Sequence, residues 1–282
     1  KLSVSVVRVE QLQTQVSKLE EKAQWAPNIE KGVKIAASRQ RKLLPAKAPV
    51  VPGCEIAYSY RPAEEVSGDF FDFVEMGQGR VGLVIGDVSG HGIEAGILMG
   101  MTKKVLSIRL TDLNDPIAAV KKTNADIVKD MDRSSFVTVA AMVFDPSTMK
   151  VTSARAGHNP PLLWSPSRKL LHKFEAGGLM IGMAPPAIFD AQLAPEVVDV
   201  LPGDVLVLYT DGIEEGKIIF YLSIILLIVS FFYTKTDVQN KRDDKYYYSF
   251  SGSTVYRRAT TTIWTGGDPF EIPENKISII IF

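Results

Sequence analysis

Only one cysteine, Cys54, occurs in 282 residues. An internal disulfide is thereby excluded, as is a cysteine-built metal site, and a reducing, cytoplasmic setting is expected. Neither sign of charge is in surplus, with 32 Lys and Arg against 32 Asp and Glu. The chain therefore carries neither the basic footprint of a nucleic-acid binder nor an acidic solvating tail; no nucleic acid is expected as partner, and a local surface must choose any other. No charged, apolar and small-residue leader opens the chain, which starts at Lys1 rather than Met. A signal peptide is not expected, and a piece of a longer protein is, with any membrane tether upstream. Internal repeats are missing too. What is present is a composition 46% apolar, ample for one large core, alone or with an arm.

The arm comes first. Val9, Leu12, Val16, Leu19 and Ala23 recur at steps of three and four, with Glu10, Lys18, Glu20, Glu21 and Lys22 between them. This heptad seam suits a short parallel coiled coil, and hence a homodimer, or an amphipathic helix packed on its own domain. A second helical pattern runs from Ile29 to Leu44 with Lys and Arg outward, and Pro45, Pro49 and Pro52 stop it. A helical linker is expected over residues 1–47 and a folded domain over 48–282. Within that domain, "EIAYSY", "RVGLVIGDV", "FVTVAAMVFD", "KVTSARAG", "PLLWS" and "DVLVLYTDG" read as strands, and "FDPSTMKVT" as a hairpin turn. "GIEAGILMGMTKKVLSIRL" and "DPIAAVKKTNADIVKDM" read as helices, the second starting at Asp115 or Pro116. Many neighbouring strands with two grouped helices point to an α+β fold, sheets covered by helices, rather than repeating βαβ units.

Three aspartates share a setting. Asp69 in "EEVSGDFFDF", Asp87 in "LVIGDVSGHG" and Asp211 in "VLVLYTDGIEE" each stand at the edge of an apolar run beside a glycine. Any one of them alone suits a turn or a helix cap. Burying several carboxylates together costs several kcal/mol per ion without a counter-charge, and no Lys or Arg is adjacent in these segments. A divalent cation supplies that charge, and an all-oxygen donor set favours Mg²⁺ or Mn²⁺ over Zn²⁺. Asp72 is a further candidate ligand, or else polar packing.

Taken in order, "QRKLLP", "YRPAEEVSGDFFDF", "LVIGDVSGHGIEAGILM", "FVTVAAMVFDP", "ARAGHNPPLL", "GGLMIGM" and "LPGDVLVLYTDGIEE" resemble the SpoIIE/RsbU branch of the metal-dependent PPM (protein phosphatase 2C-like) serine/threonine phosphatases. The resemblance implies a four-layer αββα sandwich, two central antiparallel sheets flanked by helices, with two Mn²⁺ or Mg²⁺ ions at one sheet edge. It puts the metal aspartates at Asp69, Asp87 and Asp211 and a backbone carbonyl ligand at Val88. Two such ions, about 3.5 to 4 Å apart, acidify a shared water and align it on the phosphorus of a phosphoserine or phosphothreonine. The implied substrate is a phosphorylated STAS-domain protein, an anti-sigma factor antagonist of bacterial partner switching. The heptads would then couple an upstream sensor domain to the phosphatase through dimerisation.

Other residues carry competing readings. His91 and His158 are candidates for protonating the leaving group, against turn packing for His91 and a hydrogen-bonded strand end for His158. Arg61 is a candidate bidentate donor to the substrate phosphate, against an ordinary surface arginine before Pro62. After Gly216 the composition shifts: alanine nearly vanishes and Ile, Phe, Tyr, Lys and Thr dominate. The apolar run of residues 218–233 falls just short of a membrane span. Residues 217–282 are thus a divergent folded part, a membrane-associated segment or the product of a frameshift, the last fitting the composition best. Where the family carries an Asp-Asp pair before its final strand, this chain has Asn275 and Lys276 in "NKISIIIF". Asp243, Asp244 and Asp268 are the available substitutes. That departure sustains a second function, a degenerate phosphatase fold that binds a phosphoprotein without hydrolysing it.

Overall fold

Strand β3 (Val81–Val88) shows why its sequence is almost continuously apolar. Val81, Leu83 and Ile85 enter one buried cluster, whereas Val84 and Val88 enter another on the opposite face. Successive side chains of a strand point to opposite faces, so a strand buried on both sides needs apolar residues at both parities. Strand β4 (Val137–Asp145) behaves alike: Ala140, Met142 and Phe144 face the first cluster, and Val137, Val139, Ala141 and Val143 the second. The computed structural model describes residues 27–60, 62, 64–211 and 277–281, with residue 15. The heptad seam and the apolar run of 218–233 lie outside these residues.

Two five-stranded sheets enclose the first cluster. One is antiparallel throughout, in the order β2 (Phe70–Glu75), β3, β4, β5 (Lys150–Ala156), β8 (Pro195–Asp199). The other runs β1 (Cys54–Tyr58), β10 (Ile277–Ile281), β9 (Val205–Leu208), β6 (Leu162–Ser165), β7 (Leu170–Lys173). Its β6 ladders are antiparallel, but β10 lies parallel to both β1 and β9. Parallel neighbours need a long crossover, and the stretch between β9 and β10 is long enough to make one. Ile277, Ile279 and Ile281 of β10 are buried in the inter-sheet cluster, so the slot between β1 and β9 is filled and neither strand is left with an open edge there.

Helices cover the outer face of the antiparallel sheet. Helix α1 spans residues 27–41, starting at Pro27 rather than Ile29; α2 spans Gly92–Leu113, α3 Pro116–Ile127 and α4 Pro186–Gln192. Ala95, Met99, Leu106 and Leu110 of α2, Ala119, Val120 and Ile127 of α3 and Phe189 of α4 pack on the even face of β3 and the odd face of β4. The start of α3 is set locally: the Asp115 side chain accepts from the Ala118 N–H at 2.8 Å, with Pro116 in the first turn where a missing N–H costs nothing. These residues give helices, sheet and sheet in that order. The helical layer expected beyond the mixed sheet falls outside the described residues.

Candidate metal centre

Parity brings the first two aspartates together. Asp69 precedes β2, whose odd residues Phe71 and Phe73 face the gap between the sheets, and the Phe70–Gly86 pairing sets Asp69 level with Asp87. Asp87 has the parity of Leu83 and Ile85, so it belongs to the same inter-sheet face. Gly68 closes the approach: a Cβ there would stand 2.7 Å from the Val88 carbonyl oxygen and 3.2 Å from Asp87 Oδ1. The loop before Asp69 thus lies directly on the Asp87 carboxylate and the Val88 carbonyl. Three oxygen-bearing groups meet at one strand edge, and Asp69 Oδ1 is sealed from solvent. Beyond Val88 the chain must reverse, and Gly90, at φ 89°, takes a left-handed conformation costly for any residue with a Cβ.

That loop is held from the arm side. Gln40 of α1 donates from Nε2 to the Ser67 carbonyl (2.7 Å) and accepts from the Ser67 N–H on Oε1 (3.1 Å). The Ser67 hydroxyl accepts from the Asp69 N–H at 3.1 Å, and the Tyr60 hydroxyl donates to the Asp69 carbonyl at 3.3 Å. Gln40 opens the "QRKLLP" segment of the resemblance, which gives it no role of its own. An amide in an amphipathic helix gives no signal of its own, and its partner lies 27 residues away.

Asp211 arrives on the other sheet, just past β9, and is exposed. A buried imidazole joins the two sides. His158, 3% exposed, places Nε2 at 3.1 Å from the Tyr209 carbonyl and Nδ1 at 2.9 Å from Thr138 Oγ1. Thr138 is the β4 residue paired with Asp87, and its hydroxyl also lies 3.3 Å from the Asp87 carbonyl. Burial pushes the His158 imidazole down to about 4, the nearby Arg155 adding to the fall and the Tyr209 bond opposing it. The ring is therefore neutral at neutral pH. A carbonyl can only accept, so Nε2 carries the proton and Nδ1 accepts from Thr138.

Other candidates are placed elsewhere. Asp72 points to the helix side, where Lys103 Nζ of α2 lies 2.6 Å from its Oδ2 and the Ser107 hydroxyl donates to the same oxygen. It is polar packing against a lysine. His91 stands at the N-cap position of α2 without a side-chain capping bond, 85% exposed, with Nδ1 3.6 Å from Glu64. His158 has both ring nitrogens engaged, which agrees with the hydrogen-bonded alternative. Arg61, Asn275, Lys276, Asp243, Asp244 and Asp268 lie outside the described residues. Among the described residues no group of three or more His, Cys, Asp or Glu closes into a cage able to hold a metal ion. The donor set gathered here is all oxygen, and it suits a hard cation that keeps open positions for water. No described helix is long and apolar enough to cross a membrane.

Comparison with known proteins gives the chain a family. The family model of Stage II sporulation protein E (SpoIIE) matches residues 77–221. Among curated relatives, phosphoserine phosphatase RsbU of Bacillus subtilis is 30% identical over 190 residues, covering 67% of this chain and 55% of the relative. The chain spans about half the length, or less, of the curated relatives it matches. Among solved structures, the RsbU and RsbW domains of a Mycobacterium tuberculosis protein align at 25% identity and TM-score 0.51 over 61% of this chain and 47% of that one. The SiaA-PP2C domain of Pseudomonas aeruginosa shares the fold at 16% identity and TM-score 0.53, over 64% of this chain and 70% of that one.

Proposed function

From the premise that this chain belongs to the SpoIIE family, we propose that it carries the catalytic part of a metal-dependent phosphatase acting on phosphoserine or phosphothreonine in a protein. The observation that carries the reading is the seating of Gly68 against both Asp87 Oδ1 and the Val88 carbonyl. That contact presses the Asp69 loop and the end of β3 into a single oxygen-lined edge. Asp69, Asp87, Asp211 and the Val88 carbonyl would hold two Mn²⁺ or Mg²⁺ ions. When bound, such a pair supplies Lewis acidity toward a phosphoryl group and an acidified water. The chain's own part is to fix the carboxylates: the Gln40 and Ser67 bonds set the Asp69 loop, and the β3–β4 register sets Asp87. Arg61 is the proposed donor to the substrate phosphate. His158, buried with both ring nitrogens engaged, is closed off from protonating the leaving group.

The proposed substrate is a phosphorylated STAS-domain protein. Support comes from the curated relative named phosphoserine phosphatase RsbU and from the solved structure in which RsbU and RsbW domains occur in one protein. The same reading carries a cytoplasmic setting, a helical linker over residues 1–47 ahead of the phosphatase domain over 48–282, a homodimer through the N-terminal helix and an upstream sensor domain. A second reading, a phosphoprotein-binding module without hydrolysis, is favoured by one observation: Asn275 and Lys276 stand where the family carries its Asp-Asp pair. One experiment separates them. Mn²⁺-dependent phosphate release from a phosphoserine STAS-domain protein is measured for this chain and for Asp87→Ala. Release by the parent and its loss in Asp87→Ala is the expected result. A folded parent that binds the phosphoprotein and releases no phosphate would establish the binding module instead.

A further inference from the structure

Resting on the reading of Asp87 and Asp211 as cation ligands, we infer that His158 is a positioning residue that fixes the Asp211 end of β9 to the Asp87 end of β3 across the gap between the sheets. The two aspartates come from different sheets. Facing sheets meet through apolar side chains, whose contacts are non-directional and tolerate sliding. The spacing of ligands on the two sheets therefore needs a directional link. His158 supplies one, since its Nε2–H donates to the Tyr209 carbonyl, two residues before Asp211, and its Nδ1 accepts from Thr138, the partner of Asp87.

The ring is itself anchored. The Arg155 Nη1 group donates to the His158 carbonyl at 2.8 Å, and Gly157, bridged to Val139, takes φ 70° with Met180 packed where a Cβ would stand. A leucine or phenylalanine would fill the same space without the desolvation cost of an imidazole, so packing alone does not explain a histidine here. Both nitrogens are spent on opposite sides of the cleft. Such partners behind metal-binding groups typically govern affinity through orientation.

The test uses the whole 282-residue chain. Mn²⁺ affinity is measured by calorimetry, and hydrogen exchange is followed at the amides of Thr210 and Asp211. His158→Leu is expected to weaken Mn²⁺ binding about ten-fold and to speed exchange at those amides. His158→Gln, which keeps a donor for Tyr209 and an acceptor for Thr138, is expected to recover most of both. Should His158→Leu fail to fold, Thr138→Val keeps the shape, removes the hydroxyl and is expected to move both readings the same way. Unchanged exchange in the folded variant would overturn the tether. Faster exchange with unchanged Mn²⁺ affinity would overturn its role in positioning ligands. Asp87→Ala is measured alongside, so failure of the metal reading shows as Mn²⁺ binding indifferent to Asp87, separately from the exchange result.

Discussion

Asp72→Asn distinguishes a structural carboxylate from a metal ligand. Asp72 follows Asp69 by three residues, yet its side chain and that of Lys103 are 12% and 10% exposed, with Nζ and Oδ2 2.6 Å apart. The Phe73 N–H adds a bond to Oδ1 at 3.0 Å, and Ser107 adds one to Oδ2. Attraction between unit charges at that distance is about 6 kcal/mol at an effective dielectric of about 20, and desolvating both ions offsets most of it. Replacing both partners by apolar residues of similar size is thus nearly neutral or stabilising. Removing one is not, because Lys103 keeps its charge in a buried position. Asp72→Asn is expected to cost about 3 to 5 kcal/mol, a large part of the roughly 5 to 15 kcal/mol that holds a domain folded. Urea unfolding of the parent, Asp72→Asn and the double variant Asp72→Leu with Lys103→Met gives the numbers, with Mn²⁺ affinity measured on the folded fraction. The reasoning is refuted if Asp72→Asn unfolds within about 1 kcal/mol of the parent, or if the double variant is as unstable as the single one. A ten-fold loss of Mn²⁺ affinity at undiminished stability would return Asp72 to the ligand set.

His158 makes stability depend on acid. The unfolded imidazole takes up its proton near 6.5 and the folded one only at about 4, so between those values the unfolded chain binds more protons and stability falls as pH falls. At about 1.4 kcal/mol per pH unit the loss approaches about 3 kcal/mol, complete below about pH 4 and absent well above 6.5. Urea midpoints of the parent and His158→Gln across that range check it, and an equal slope in both would refute it. Gly68→Ala forces a methyl to 2.7 Å from the Val88 carbonyl; Mn²⁺ affinity is expected to drop about ten-fold or more, and calorimetry equal to the parent would show that the loop adapts. Gln40→Ala strips both bonds from the Ser67 backbone, with an expected cost of about 1 to 3 kcal/mol and lower Mn²⁺ affinity, read by thermal unfolding and calorimetry.

Much of the fold is legible in the chain because its signals are local. β3 and β4 stand out as apolar runs, since both faces of the middle sheet are covered. Asp115 and Pro116 mark the start of α3 by chemistry confined to one turn. The edge strand β8 and the short helix α4 carry few buried residues, so their patterns are weak. The parallel placement of β10 has no local signature, because direction in a sheet depends on the route of the connection rather than on the strand's own residues.

The candidate site divides along the same line. Carboxylates at strand ends, glycines beside them and the lack of adjacent cations are properties of single segments, so Asp69, Asp87 and Asp211 can be picked out of the text. The opposite faces of Asp69 and Asp72 follow from a period of two once β2 is known to be a strand, and the Lys103 partner then comes from a helix. Gln40, Thr138 and the bridging part of His158 become visible in the folded chain alone. The hydroxyl of Thr138 and the Asp87 carbonyl are 51 residues apart in sequence, as are His158 and Tyr209. Residue chemistry is fixed along the chain, whereas such meetings are fixed by strand register and by the packing of one sheet on the other, which depend on every residue of the core at once.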